Sequence, residues 1–233
     1  MKDYIGNELE LFKHAHHWKE YYAKCFKHLL KGDVLEVGAG IGETTHFLCD
    51  GTQKSWVCLE PDGKLANVIQ LKKDQGYLPS FIEVKTDTLE GMEVTRRFDA
   101  IIYIDVIEHI ENDSAELQKA STFLKLGGKI IILVPAHNYL YSEFDKSIGH
   151  FRRYNKKMLT NAVPRELKKV DLHYLDTVGL FASLVNKWFL KQDYPTLKQI
   201  KFWDNYIISV SKMIDPILFN SVGKTVIGIW QKQ

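Results

Sequence analysis

Residues 34–42 read Val34-Leu35-Glu36-Val37-Gly38-Ala39-Gly40-Ile41-Gly42, an apolar strand running straight into three closely spaced glycines. Gly38, Gly40 and Gly42 let the backbone turn sharply and let a ligand approach where a Cβ would block it. A strand that ends this way before a helix builds a nucleotide-sized cradle. The dinucleotide fingerprint G-x-G-x-x-G faces a pyrophosphate with helix amides. Here the spacing is G-x-G-x-G, and Glu36 lies just before the first glycine, where it repels a diphosphate and suits a cationic amino-acid ligand. Further on, Ser55-Trp56-Val57-Cys58-Leu59 ends in Glu60-Pro61-Asp62, which sets carboxylates at the tip of a second strand. Glu60 there can accept from two ribose hydroxyls at once.

Outward from this cradle, strand and helix patterns alternate: strand 33–37, helix 42–50, strand 55–59, helix 62–74, strand 80–84, strand 98–104, helix 113–125 and strand 128–134. Such alternation predicts a parallel sheet with helices on both faces. Residues 7–31 carry an amphipathic helical pattern and read as a cover. After Pro135, residues 136–150 are aromatic and polar without clear periodicity. Long loops in compact domains tend to be functional, and ligands of open α/β sheets bind outside the carboxyl ends of the strands. This loop is therefore the expected wall of an acceptor site. A helix at 155–162, a strand at 168–175, two apolar helices within 178–220 and a strand at 224–230 complete the reading. The apolar helices, with Phe181, Leu184, Trp188, Phe189, Phe202, Trp203, Ile207, Met213 and Phe219, either pack on the sheet edge or form an acceptor pocket or dimer face. The expected fold is α/β: a Rossmann-like, doubly wound, seven-stranded, mostly parallel sheet with an N-terminal helical cover and a C-terminal helical insertion. One domain is expected over 1–233, with the cover at 1–31, the cofactor-binding core at 33–135 and the acceptor-site loop and helices at 136–223.

A formal charge of +2 and a charged fraction of 26% give no strong field toward nucleic acid. Cys25, Cys49 and Cys58 lack C-x-x-C spacing and read as reduced thiols of a cytoplasmic protein. No leader pattern is expected at the N-terminus. The apolar run Val178–Leu190, broken by Asn186 and Lys187, is shorter than the ~20 residues that span a bilayer.

Five ordered segments carry a resemblance: the glycine loop, Glu60, Lys85-Thr86-Asp87-Thr88, the run Phe98–Ile110 containing Tyr103-Ile104-Asp105-Val106-Ile107-Glu108-His109, and the run Phe123–Pro135 containing Leu126-Gly127-Gly128. In this order the chain resembles the class I S-adenosylmethionine (SAM)-dependent methyltransferases. The segment Pro135-Ala136-His137 through Leu140-Tyr141, Asp145 and Gly149-His150-Phe151-Arg152-Arg153-Tyr154 narrows this to a bacterial subgroup often found beside sugar-transferring enzymes. Leu126 replaces the subgroup's usual proline, a harmless turn variation. Asp105 stands where relatives often carry asparagine, at the methionine end of SAM.

The resemblance implies SAM as cofactor, S-adenosylhomocysteine (SAH) as product and a small-molecule acceptor, with Glu36, Gly38, Gly40, Gly42, Glu60, Asp62, Asp87, Thr88 and Asp105 around SAM. Glu60 takes the ribose, Asp87 with Thr88 reaches the adenine amino group, and Glu36 holds loop amides or the SAM amino group. Methyl transfer is an in-line displacement in which orientation contributes about 7–11 kcal/mol. A hydroxyl acceptor also benefits from a base, worth about 10²–10⁴-fold. His109 and His150 are the catalytic candidates, each with a bland alternative: a packing or capping histidine for His109, and for His150 a clasp in which Arg152 or Arg153 pairs with Asp145 or Glu143. Tyr141, Arg152, Arg153 and Tyr154 are candidate substrate contacts, the arginines as a bidentate grip on a phosphate or carboxylate. The acceptor class so implied is an oxygen of a glycan, nucleotide-sugar or lipid-linked intermediate, with a membrane-surface substrate allowed. Natural-product O- or N-methylation, a SAM-binding protein without catalysis and a nicotinamide-dependent dehydrogenase are the rivals. His14, His16 and His17 lack a zinc-site spacing, and no metal is expected.

Overall fold

The structure is a computed structural model that describes residues 8–190 and 194–233. Residues 1–7, which carry the first expected helical position and the N-terminal stretch read as lacking a leader, lie outside the described residues, as do 191–193 and the side chains of 189 and 190.

Seven strands form one sheet: β1 (Asp33–Val37), β2 (Ser55–Leu59), β3 (Ile82–Lys85), β4 (Phe98–Ile104), β5 (Leu124–Pro135), β6 (Leu167–Leu175) and β7 (Thr225–Lys232). Their order is β3-β2-β1-β4-β5-β7-β6, parallel through β5, with β7 antiparallel to both β5 and β6. The central strands are apolar on both faces because helices cover both. One face packs Leu35, Phe98, Ile101, Tyr103 and Ile130 against Leu117, Phe123 and Leu159. The other packs Val34, Trp56, Ile102 and Ile131 against Trp18, Tyr22 and Phe26.

The order reverses between β1 and β4, so the crevice of the topological switch point opens at their carboxyl ends. The cover arrives there as α1 (Glu8–Phe12) and α2 (His16–Phe26). No neighbouring side chain caps α2; instead the distant, buried Asp204 accepts from the first amides, His17 N–H at 3.1 Å and Trp18 N–H at 2.8 Å. α3 (Glu43–Leu48) is shorter than the expected 42–50, since Gly42 is left-handed (φ 75°) and serves as its N-cap. α4 (Gly63–Asp74) and α5 (Asp113–Thr122) follow. The Leu126-Gly127-Gly128 turn lies inside β5, at an irregularity in its pairing with β4, which is why β5 starts before the expected residue 128.

The stretch 136–150 is folded rather than aperiodic: a 3₁₀ turn over Asn138–Leu140 leads into α6 (Glu143–Ser147). Ser142 and Asp145 there form a reciprocal capping box, a local signal that apolar periodicity does not register. Beyond α7 (Lys156–Ala162) and β6 come α8 (Thr177–Val185), α9 (Leu197–Phe202) and α10 (Ile208–Ile217), with π-helical turns at Asn186–Leu190 and Trp203–Ile207. Two buried carboxylates tie this insertion together: Asp176 accepts from Gly179 N–H, Ser211 Oγ and Trp203 Nε1, and Asp215 from the amides of Asp176 and Thr177. Asp215 also accepts from Tyr21 Oη of the cover at 2.8 Å. Among the described residues no helix is long and apolar enough to cross a membrane.

Candidate functional site

A cavity of about 1370 Å³ lies over the carboxyl ends of β1, β2 and β4, between the cover, residues 140–150 and the C-terminal helices. Its cofactor end is the glycine loop. Gly38 (φ 68°) faces Val106, whose Cγ2 would stand 2.6 Å from an added Cβ. Gly40 (φ 58°) faces open cavity, with only Leu9 at 3.5 Å. Glu60 binds both sides of the turn, accepting from Gly40 N–H at 2.7 Å and Asp62 N–H at 3.0 Å, and burial raises its pKa. Each Glu60 oxygen keeps acceptor capacity toward the cavity, as a ribose diol requires. Asp87 and Thr88 line the cavity beyond it.

Asp105, at the exit of β4, also lines the cavity and is held in the left-handed region (φ 55°). Surrounding protein pushes its carboxyl up to about 7 although the cavity leaves it accessible, with Lys19 and Arg153 opposing. Lys19 faces it from α2, brought down to about 8 by burial, and donates to the carbonyl of Phe12. Lys224 enters from the start of β7 with its Nζ 5.5 Å from the Trp203 ring centre. The sequence reading missed both lysines. A signal existed for Lys19, which shares the α2 face of Ala15, Tyr22 and Ala23 by i±3/i±4 spacing.

Three expected cofactor residues do not reach the cavity. Glu36 is sealed within the sheet, accepting from Thr45 Oγ1 at 2.7 Å and Trp56 Nε1 at 3.0 Å, and burial raises it to about 7. It ties α3 to β1 and β2 through side chains rather than loop amides. Asp62 caps α4, accepting from Lys64 N–H at 2.7 Å and Leu65 N–H at 3.2 Å. Gly42 packs toward Leu78 and Ile69 and shapes the turn.

At the acceptor end the structure brings His109 and His150 together, ring centres 4.5 Å apart and edge to face. Burial, then the neighbouring His150, brings His109 down to about 4, so its imidazole is neutral. His150 Nδ1 lies 2.9 Å from Asp145 Oδ1, and its Nε2 lies 3.9 Å from Glu108 Oε1. Burial alone would raise Asp145, but His150 and Arg153 hold it well below the usual carboxylate range. Glu108, named in the sequence only as part of a run, is fully buried on the cavity wall.

The substrate contacts need correction. Arg153 lines the cavity, is buried and forks onto Asp145 through two 2.9 Å bonds. Arg152 lies off the cavity, bound to Asp113 at 2.9 Å and to the carbonyls of Ile110 and Glu111. Tyr154 is buried and donates to Asp113 at 2.6 Å. Tyr141 does line the cavity while donating to the His150 carbonyl at 2.6 Å. The GHxRRY segment thus forms a clasp through Arg153 and Asp145 that presents His150 to the cavity. The apolar helices, left between packing and pocket, do both: Ala182, Ile200, Phe202, Trp203 and Ile207 line the cavity, while Ile208 packs in the core.

The comparisons agree with this geometry. The methyltransferase-domain family matches residues 11–177. The chain therefore belongs to that methyltransferase family, and its fold is that of the class I SAM-dependent enzymes. A ubiquinone biosynthesis O-methyltransferase of Bradyrhizobium sp. (strain ORS 278) is 26% identical over 111 residues, covering 46% of this chain and 41% of the relative. The chain thus spans under half the length of that relative. Among solved structures, coclaurine N-methyltransferase bound to N-methylheliamine and SAH is similar with a TM-score of 0.65 and 14% identity, over 94% of this chain and 72% of that one. Geranyl diphosphate methyltransferase in complex with SAM gives a TM-score of 0.66 and 10% identity, over 98% and 91% of the two chains. The glycine cradle, the Glu60 carboxylate on the cavity wall and the Asp87-Thr88 tip fit SAM as cofactor.

Proposed function

We propose that this chain transfers the methyl group of SAM to an oxygen of a small-molecule acceptor, in the cytoplasm, with Gly38, Gly40, Glu60, Asp87, Thr88 and Asp105 around the cofactor. Bound SAM supplies an electrophilic methyl on its sulfonium. The protein holds donor and acceptor in line and excludes water, for which the walls of Phe12, Trp18 and Trp203 are suited.

One observation carries the preference for oxygen: the His109, His150 and Glu108 cluster shares the cavity with the glycine loop, beside Asp105. A hydroxyl has to lose its proton to attack, whereas a neutral amine attacks without help. We assign the activation of the acceptor hydroxyl to this cluster. The acceptor body is apolar in large part, since Leu140, Phe144 and Ile207 line the same cavity and both arginines are paired to protein carboxylates. That favours a lipid-linked or aromatic acceptor over a free nucleotide-sugar. Free thiols at Cys25, Cys49 and Cys58 support the cytoplasmic placement.

The test is transfer from isotope-labelled SAM into hydroxylated aromatic and prenylated acceptors and into extract of the source cell, beside a titration of SAM and NAD. Label in an alkali-stable ether is expected. Tight SAM binding with no transfer to any acceptor would favour a binding protein, and preference for NAD would overturn the assignment.

A further inference from the structure

Glu108 is fully buried, and among the described residues neither of its oxygens has a hydrogen-bond partner. A buried carboxylate without a partner is costly, and it is relieved either by a proton or by a bound cation. Two imidazoles supply the rest of a ligand set, since donor atoms of Glu108, His109 and His150 all lie within 4.8 Å of one another. The His150 imidazole is already oriented from behind. His150 Nδ1 is held by Asp145, itself held by Arg153 and Ser142, which leaves Nε2 turned toward Glu108. His109 packs edge to face on the His150 ring, ring centres 4.5 Å apart. A carboxylate or carbonyl behind a histidine is the outer sphere that sets tautomer and ring orientation in metal sites.

We propose that Glu108, His109 and His150 bind a divalent transition-metal ion, zinc by preference, with its open position facing the acceptor. Two nitrogens and one carboxylate match the His₂Glu set of catalytic zinc, whereas magnesium and calcium favour all-oxygen shells. Ligand atoms around tetrahedral zinc stand about 3.4 Å apart, so small side-chain rotations close the present spacing. All three residues line the cavity that the acceptor would enter. Resting on the oxygen-acceptor reading above, the ion would take the acceptor hydroxyl and lower its pKa. The hydroxyl proton then passes to cavity water, the O–CH₃ bond forms, the S–CH₃ bond breaks, and its electron pair stays on sulfur as the thioether of SAH.

Chelator-treated full-length protein is titrated with Co²⁺, read by visible absorption, then challenged with Zn²⁺ and Mg²⁺, with SAM affinity measured on every sample. One equivalent of Co²⁺ with a low-symmetry spectrum is expected, displaced by Zn²⁺ and not by Mg²⁺. Glu108→Gln and His150→Gln are each expected to weaken Co²⁺ binding by more than the about 10–100-fold that loss of an outer-sphere partner costs, with SAM affinity retained. The double variant His14→Gln/His16→Gln is expected to bind as wild type. A wild-type protein without the spectrum, or binding that survives both cluster variants, overturns the proposal. Metal-independent methyl transfer would also overturn it while the oxygen-acceptor reading stands. Stoichiometric Co²⁺ without transfer to any acceptor leaves the site standing and sinks that reading.

Discussion

At the β1 and β2 end of the cavity, the groups placed around the cofactor sit on or just after a strand tip, so each is fixed by a few residues of local sequence. At the β4 end the facing groups come from three places: Glu108 and His109 after β4, His150 from the clasp and Lys224 from the start of β7. The first end is a motif. The second is an assembly, held by Arg153–Asp145 and by the buried carboxylates Asp176, Asp204 and Asp215. Damage should therefore stay local at one end and spread at the other.

The sharpest break of that contrast lies in catalysis. His150→Ala and His109→Ala are expected to lower turnover by about 10²–10⁴-fold with SAM affinity little changed, read by kcat and by SAM titration. Wild-type turnover in both would remove the acceptor-end chemistry. Glu60→Gln should do the converse. Losing charge-assisted contacts at about 1.5–3 kcal/mol each weakens SAM by about tenfold or more, while kcat at saturating SAM holds.

A third expectation concerns pH. His109 has a folded-state pKa of about 4 against an ordinary value of 6.5. The unfolded chain therefore binds the proton first, so stability is full above pH 6.5 and is lost as pH falls toward 4. The loss approaches about 2 kcal/mol by pH 5 in metal-free protein. Melting of His109→Gln should lack that share of the acid sensitivity, and equal acid sensitivity in the two proteins would show that His109 is not held neutral. The smallest effects separate structure from substrate. Asp62→Ala should cost about 1 kcal/mol as a lost helix cap with SAM affinity unchanged. Arg152→Ala should cost about 1 kcal/mol or less, as an ion pair near the surface, and leave the acceptor KM alone. A raised KM would restore the anion grip.

The same contrast explains what the sequence made legible. The strands, the glycine cradle and Glu60 followed from spacing, because period and turn chemistry are local. Glu36 and Asp62 do not line the cavity, and proximity to a motif along the chain does not say whether a carboxylate points into a cavity or back into the fold. Glu108 and Lys224 needed three-dimensional neighbours to stand out. The arginine pair was ambiguous in sequence between clasp and grip, and only the position of Asp145 and Asp113 resolves it.

The placing of β7 between β5 and β6 has a consequence for synthesis. As the chain leaves the ribosome, β6 emerges with no strand to pair with, and β5 keeps an open edge, until the far later β7 arrives to join them. The parallel half, with its glycine turn, is finished long before. A nascent chain can thus assemble a nucleotide cradle while its acceptor wall still lacks Lys224, which immediately precedes β7, and chaperones would meet an unzipped β5 edge in the interval.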